Sequence, residues 1–266
     1  MHQGENILID CFKQLFNYLE PFAEGEKSSL PQTFRSMVPL MTQADAAASG
    51  STRERILHTA ARLFSEGGFD NISLRDITTD ADVNIAAVNY HFGSKVGLLN
   101  VVFEHYATPV NAARMELLDE CDRRRGDNPP AVEDILWALL SPAFHAPASG
   151  DEGRYFRRML GRMSSSANPD VRRILFSTFD TVAARFVDMM ARACPDLPKE
   201  ELFWRLTCVY GSMMYAQADN GRIRTLAGDS FDSTKMDDAL KYMIPFLTAG
   251  FTLPPSTKSG SRSGAK

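Results

Sequence analysis

Six hydrogen-bonding side chains fall close together in this chain: Ser73, Arg75, Asn89, Tyr90, His91 and Lys95. None has the spacing of a catalyst. The sequence holds no nucleophile elbow, no HExxH and no glycine-rich phosphate loop, and His58, His105 and His145 stand isolated. The chemistry left to this set is recognition. Asparagine can bond an adenine edge bidentately or hold a phosphate, while Ser, Tyr, His and Lys suit phosphate oxygens. Ala86 and Ala87 lie beside them. Their small side chains would let a backbone approach closely, and their methyls suit a thymine methyl. Plainer roles are open for each: Tyr90 could complete a small core, His91 could merely end a helix, and the alanines could serve helix propensity.

Two short helices would position these residues. Leu74, Ile77 and Ala81 recur at helical spacing and share one face. Ser73 caps that segment, with Asp76 in the place of a capping-box acid. Asp82 and Val83 interrupt the pattern. Asn84 then caps a second segment, 85–91, which stops at Gly93. On this second helix Val88 and Phe92 face inward with Val83, and Ala86, Ala87, Asn89 and Tyr90 spread over the other side. Ser94 caps a further helix that opens at Lys95. Two short helices joined by so tight a turn read as a helix-turn-helix from Ser73 to Phe92. The preceding helix, 52–66, carries Ile56, Leu57, Ala60, Leu63 and Phe64 in one stripe.

The 266 residues are 44% apolar and 23% charged, which is ordinary for a soluble globular protein. No uninterrupted apolar run of about 18 residues exists, and the first residues lack a basic n-region and a cleavage site. These features predict a cytoplasmic protein without a membrane partner. The four cysteines, Cys11, Cys121, Cys194 and Cys208, are scattered without metal-ligand spacing, so no metal and no cofactor is expected. A net charge of -4 argues against non-specific nucleic-acid binding. Any DNA contact must come from a local arrangement.

Every segment beyond residue 51 reads as helix, and the fold class is all-α, with about nine helices. Residues 1–50 form an N-terminal extension: an amphipathic helix up to Pro21, then a Ser/Pro/Gly/Ala-rich linker. Translation starting at Met37 or Met41 is one account of it. Residues 51–97 form the helix-turn-helix domain, 98–252 a helical body, and 253–266 a low-complexity tail expected to be disordered. The helix from Lys95 is expected to run to Arg125 with a kink at Pro109. Gly221 and Gly228 mark a loop.

The runs ILHTAARLFSEGGF, SLRDIT, ADVN and above all VNYHFGSKVGLL resemble the N-terminal domain of the TetR/AcrR transcriptional regulators. RRMLGRMSSSANPDVRRIL and LPKEELFWRLTCVYGSMM are similar to the ligand domain of the PsrA-type branch, whose members respond to fatty acids or acyl-CoA esters. The resemblance implies a dimeric repressor on a palindromic double-stranded DNA operator, released by a small-molecule effector, and not an enzyme. It implies base contacts from Arg75, Ala86, Ala87 and Asn89, and phosphate contacts from Ser73, Tyr90, His91 and Lys95. It also implies a homodimer held by the last two long helices, with Phe203, Trp204, Tyr210, Met214 and Tyr242 as interface candidates. Two features depart from the pattern. Asn89 stands where many relatives carry tyrosine, although NYHF does occur in the branch just named. The basic residues of the small domain are also offset by Glu54, Glu66, Asp70, Asp76, Asp80 and Asp82.

Within the body, Arg158, Met159, Arg162, Met163, Phe176, Phe179 and Phe186 are the expected effector pocket, along with Arg157 and Met190. The Met and Phe would form an adaptable apolar lining, and the Arg cluster would hold an anionic end. Ordinary core packing and a solvated charged face account for the same residues. The alternatives in function are a ligand-independent DNA-binding protein of the same fold with a filled core, and a helical enzyme.

Overall fold

The structure is a computed structural model that describes residues 51–126, 128–145, 151–218, 221–230, 232 and 235–256. The extension 1–50 lies outside the described residues, so the helix and linker expected there do too. Among the described residues the chain forms ten α-helices and one short 3-10 turn, with no strand.

Helix α1 (Thr52–Gly67) starts on a capping box. The Ser51 hydroxyl accepts from the Glu54 N–H, and the Glu54 carboxylate accepts from the Ser51 N–H at 2.7 Å. Its buried face is Ile56, Leu57, Ala60, Ala61 and Phe64. Helices α2 (Leu74–Asp80) and α3 (Ile85–Phe92) follow. Helix α4 (Lys95–Arg125) is 31 residues long and continues through Pro109. At about 1.5 Å per residue it spans about 46 Å, enough to run from the small domain through the body.

The body is α5 (Val132–Phe144), α6 (Asp151–Met163), α7 (Pro169–Ala193), α8 (Lys199–Ala218), α9 (Arg222–Ala227) and α10 (Met236–Thr252). Helix α9 corrects the expected loop. It is six residues long with no buried side chain, so no apolar stripe announces it. The two glycines read as loop markers stand at its ends, both in the left-handed region, at φ 76° and 58°.

Two apolar cores hold these helices. One joins α1 to α3 and the first part of α4 with Phe156, Met159, Leu160 and Met163 of α6 and Val171, Ile174 and Leu175 of α7. The other joins α5, α8, α10 and the second halves of α4 and α7. The small domain therefore does not close at residue 97. Helix α1 packs more extensively on α6 than on α4, because a domain of three short helices cannot cover its own apolar surface.

Polar contacts reinforce the seams. Arg185 and Arg192 of α7 both pair with Asp122 of α4, and Arg185 also reaches Asp119 at 3.1 Å. Arg205 of α8 donates to the carbonyl of Gly250 in the last turn of α10 and to those of Leu253 and Pro254 just past its end. Glu201 accepts from the Ser256 N–H at 2.9 Å. Residues 253–256 are thus anchored, which corrects the expected disorder for that part of the tail.

Candidate functional site

The turn between α2 and α3 is built by local hydrogen bonds. Asp82 takes a left-handed conformation at φ 50°, the Val83 N–H donates to the Thr78 carbonyl at 3.0 Å, and Arg55 of α1 donates to the Asp82 carbonyl at 2.9 Å. Asn84 caps α3 by accepting from the Ala86 N–H at 2.9 Å. Only Val88 and Phe92 of α3 are buried. The opposite side presents Ala86, Asn89, Tyr90 and His91 to solvent.

Tyr90 is 85% exposed, so it does not complete the core. Its ring meets the His91 ring edge-on at 5.0 Å. Ala87 is half-buried and packs against the small-domain core, so its side chain has a packing role beside any role at a base. Arg75 is exposed on α2 and makes no ion pair among the described residues.

Ser73 is exposed but engaged. Its hydroxyl and its N–H both donate to the Asp76 carboxylate, at 2.7 and 2.8 Å, and the hydroxyl accepts from the Asp76 N–H. These bonds, with Lys95 nearby, hold the Asp76 carboxyl below its ordinary value. The first work of Ser73 is thus to cap α2. Lys95 is half-buried, with its Nζ 4.3 Å from the centroid of the Phe69 ring. The Ser94 hydroxyl accepts from the Gly97 N–H at 3.0 Å and so starts α4.

Several of the local acids are engaged by neighbouring side chains. Arg62 pairs with Glu66 and Asp80, and Asp70 accepts from Asn168 at 2.6 Å. Asn168 also caps α7, accepting from the Asp170 N–H at 3.0 Å. One side chain thus ties the small domain to the start of α7.

A cavity of about 450 Å³ lies between the two cores, within the range of sites for small organic ligands. It is lined by Val110 and Arg114 of α4, Leu139 and Ala143 of α5, Phe156 and Leu160 of α6, Phe176 and Phe179 of α7, and Phe203, Tyr210 and Met213 of α8. Of the expected pocket residues, Phe176 and Phe179 line it. Met159 and Met163 are buried in the small-domain core, and Phe186 and Met190 in the body core. Arg158 is half-buried and Arg162 exposed, and neither reaches the lining, nor does Arg157. Helix α6 turns its Phe156–Leu160 face to the cavity, and its arginines lie off that face.

The cation in the lining is Arg114, which is only 4% exposed. Its Nε donates to the Leu139 carbonyl at 2.8 Å, and its guanidinium lies 5.7 Å from the Phe179 ring centroid. Burial draws its pKa down to about 10, with the neighbouring Tyr210 opposing the shift. It therefore remains cationic at neutral pH. Burial pushes Tyr210 up to about 12, so its hydroxyl stays protonated. The signal for Arg114 was present in the sequence: Val110, Arg114 and Leu118 recur every fourth residue, so a charge sits on the apolar stripe of α4.

A separate apolar face lies on α8 and α10. Trp204 is 67% exposed, Tyr242 66% and Phe246 75%. Along α8 Trp204, Cys208, Gly211 and Tyr215 are exposed and form one continuous stripe, with Thr207 exposed beside it. Phe203, Tyr210 and Met214, which the sequence grouped with Trp204, point to the cavity instead.

Among the described residues no helix is long and apolar enough to cross a membrane, and no group of three or more His, Cys, Asp or Glu is placed to hold a metal.

Comparison with known proteins matches both halves of this architecture. The chain is 42% identical over 57 residues to the probable HTH-type transcriptional regulator YttP of Bacillus subtilis, covering 21% of this chain and 28% of that protein. It is 39% identical over 72 residues to the HTH-type transcriptional repressor NicS of Pseudomonas putida, covering 27% and 34%. The matched stretches thus span about a third or less of these relatives. In fold the chain is similar to the ketosteroid transcriptional regulator KstR2 of Mycobacterium tuberculosis. The TM-score is 0.53 at 16% identity, over 77% of this chain and 97% of that one. Residues 56–102 match the family described as bacterial regulatory proteins, tetR family, and residues 137–250 match the tetracyclin repressor-like C-terminal domain. With both the reading head and the body accounted for, the chain belongs to the TetR family of transcriptional regulators.

Proposed function

We propose that the protein is a homodimeric repressor that reads a palindromic DNA operator with α2 and α3 and releases it when an effector fills the body cavity. The observation that carries this reading is the pairing of a solvent-facing α3 surface with a cavity whose wall includes Phe156, a residue packed in the small-domain core. A ligand in contact with Phe156 touches the core that orients the reading head. That cavity also favours an effector-gated protein over a constitutive binder with a filled core.

The surface of α3 is narrow and its side chains are short, which suits entry into a major groove. Asn89 and Arg75 are the base readers of this proposal. Tyr90, His91 and Lys95 position the helix on phosphates. Ala86 provides close approach. Local charge is weak, so one head binds poorly, and affinity requires two heads held at the spacing of the half-sites. The exposed stripes of α8 and α10 supply the pairing surface.

Genomic fragments retained by the purified protein give the operator and its symmetry. On that operator Arg75→Ala costs about 1–3 kcal/mol and relaxes the base preference at its position. Unchanged affinity and unchanged preference in a gel-shift titration would refute the docking geometry. An asymmetric operator bound by one protomer would refute the dimer.

A further inference from the structure

Over residues 51–97 the acids outnumber the arginines and lysines six to five, but the fold does not use the two signs alike. Glu54 and Asp76 close capping boxes on Ser51 and Ser73. Glu66 and Asp80 take up Arg62, and Asp70 accepts from Asn168. Arg55 donates to the Asp82 carbonyl. That leaves Arg53, Arg75 and Lys95 as the cations of the head whose side chains have no hydrogen-bond acceptor among the described residues. Arg75 and Lys95 have places in the docking proposed above, and Arg53 has none.

Arg53 lies in the first turn of α1 and is exposed. Its guanidinium stands 5.7 Å from the centroid of the Phe92 ring, and Phe92 is the last residue of α3. From Phe92 a run of rings leads to the reading surface: Phe92 to His91 at 6.0 Å, then His91 to Tyr90 at 5.0 Å. Lys95 follows Phe92 by three residues and rests in the same way on a core ring, that of Phe69. The Glu54 carboxylate beside Arg53 is turned back onto the Ser51 N–H at 2.7 Å and forms no ion pair with it. A guanidinium seated on a ring keeps its N–H donors unspent while the ring fixes its position. Such a group is set in advance for an anion, and it continues the row of Tyr90, His91 and Lys95.

We propose that Arg53 grips a DNA backbone phosphate beside the end of α3, so that each head holds the duplex with α1 as well as with α2 and α3. This rests on the docking proposed above and adds a contact that neither of those helices supplies. The contact fixes the head on the duplex and reads no base.

Fluorescence anisotropy titrations of the full chain over a range of salt concentrations test the assignment. The probes are a genomic fragment that the protein retains and a random duplex of the same length. Arg53→Gln lowers the salt slope by about one for each bound head. It weakens both duplexes by a similar factor and leaves the base preference unchanged. Arg53→Lys keeps the slope, because the contact needs the charge. A scan of the retained fragment with single uncharged methylphosphonate linkages gives a second readout. One linkage in each half-site weakens the wild type and has no further effect on Arg53→Gln, a coupling that a purely structural role would not produce. An unchanged slope in Arg53→Gln overturns the assignment and makes Arg53 a brace for Phe92. Weakening on the retained fragment alone also overturns it and makes Arg53 a base reader. So does a scan in which the variant responds at every linkage as the wild type does. Should Arg53→Gln misfold by circular dichroism, Arg53→Met, which keeps an apolar stem against Phe92, takes its place. If Arg75→Ala weakens binding and Arg53→Gln changes nothing, this assignment alone fails; if neither changes anything, the docking fails with it.

Discussion

Lys95 is drawn two ways. Partial burial favours its neutral form, while Asp70 and Asp76 favour the cation, and burial is the larger effect. Its ammonium stands over the Phe69 ring at 4.3 Å, so the residue staples the start of α4 to the loop before α2 while keeping a charge near the reading face. Lys95→Ala therefore has two effects. It lowers the salt slope of operator binding by about one, and it costs about 0.5–1 kcal/mol of fold stability through the lost cation–π contact. A variant that melts lower but keeps the full salt slope would make Lys95 a purely structural residue. The sequence placed Asn89 and Tyr90 on the outer side of α3 because helical periodicity decides which side of a short helix faces inward. It also marked Ser73 and Asp76 as a capping box, which the structure shows, but it could not decide between that cap and a phosphate contact for the same hydroxyl, since both need the same residue type. Nor could it show that Ala87 is half-buried, because an alanine fits either side of a helix.

At the scale of elements, α6 connects the cavity to the reading head. Phe156 lies on the chamber wall and stacks on Tyr106 of α4 at 5.3 Å, while the same helix packs along α1. The link that α4 makes between head and body was plain in the sequence, which has the helix running from Lys95 to Arg125. The role of α6 was hidden because its partner, α1, lies far away in the chain. Helix α6 also lies hard against the end of α8 at Gly161, where an added Cβ would fall within 2.8 Å of the Ala218 Cβ and closer still to its backbone. Only glycine permits that approach. Gly161→Ala forces the helices apart at a point flanked by the cavity residues Leu160, Ser164 and Gln217. The expected cost is about 1–3 kcal/mol, the range for overpacking a tight contact, read as a lower midpoint in thermal or urea unfolding. An unchanged midpoint would mean that the end of α8 can shift without loss, and α6 would then not be fixed firmly enough to transmit a change at the cavity.

The whole molecule leaves one surface unexplained by its own packing: the stripes of Trp204 and Tyr215 on α8 and of Tyr242 and Phe246 on α10. The sequence mixed Trp204 with the cavity residues Phe203, Tyr210 and Met214, because α8 is apolar on several sides: one faces the core, one the chamber and one solvent. Stable protein–protein interfaces bury roughly 800 Å² per partner around a few aromatic anchors, and this patch has the anchors. Phe246 is the best probe, since at 75% exposure it adds little to the fold of a single protomer. Phe246→Asp places a charge in the middle of the proposed interface, where burial without a partner is unfavourable. Sedimentation should show a monomer, with circular dichroism unchanged. Operator affinity should fall by a factor of about 10² or more, because the second head no longer binds at the effective concentration set by the first. A dimeric Phe246→Asp protein with full operator affinity would move the pairing surface elsewhere. A monomer with full affinity would show that a single head is sufficient, despite the weak local charge of the helix-turn-helix.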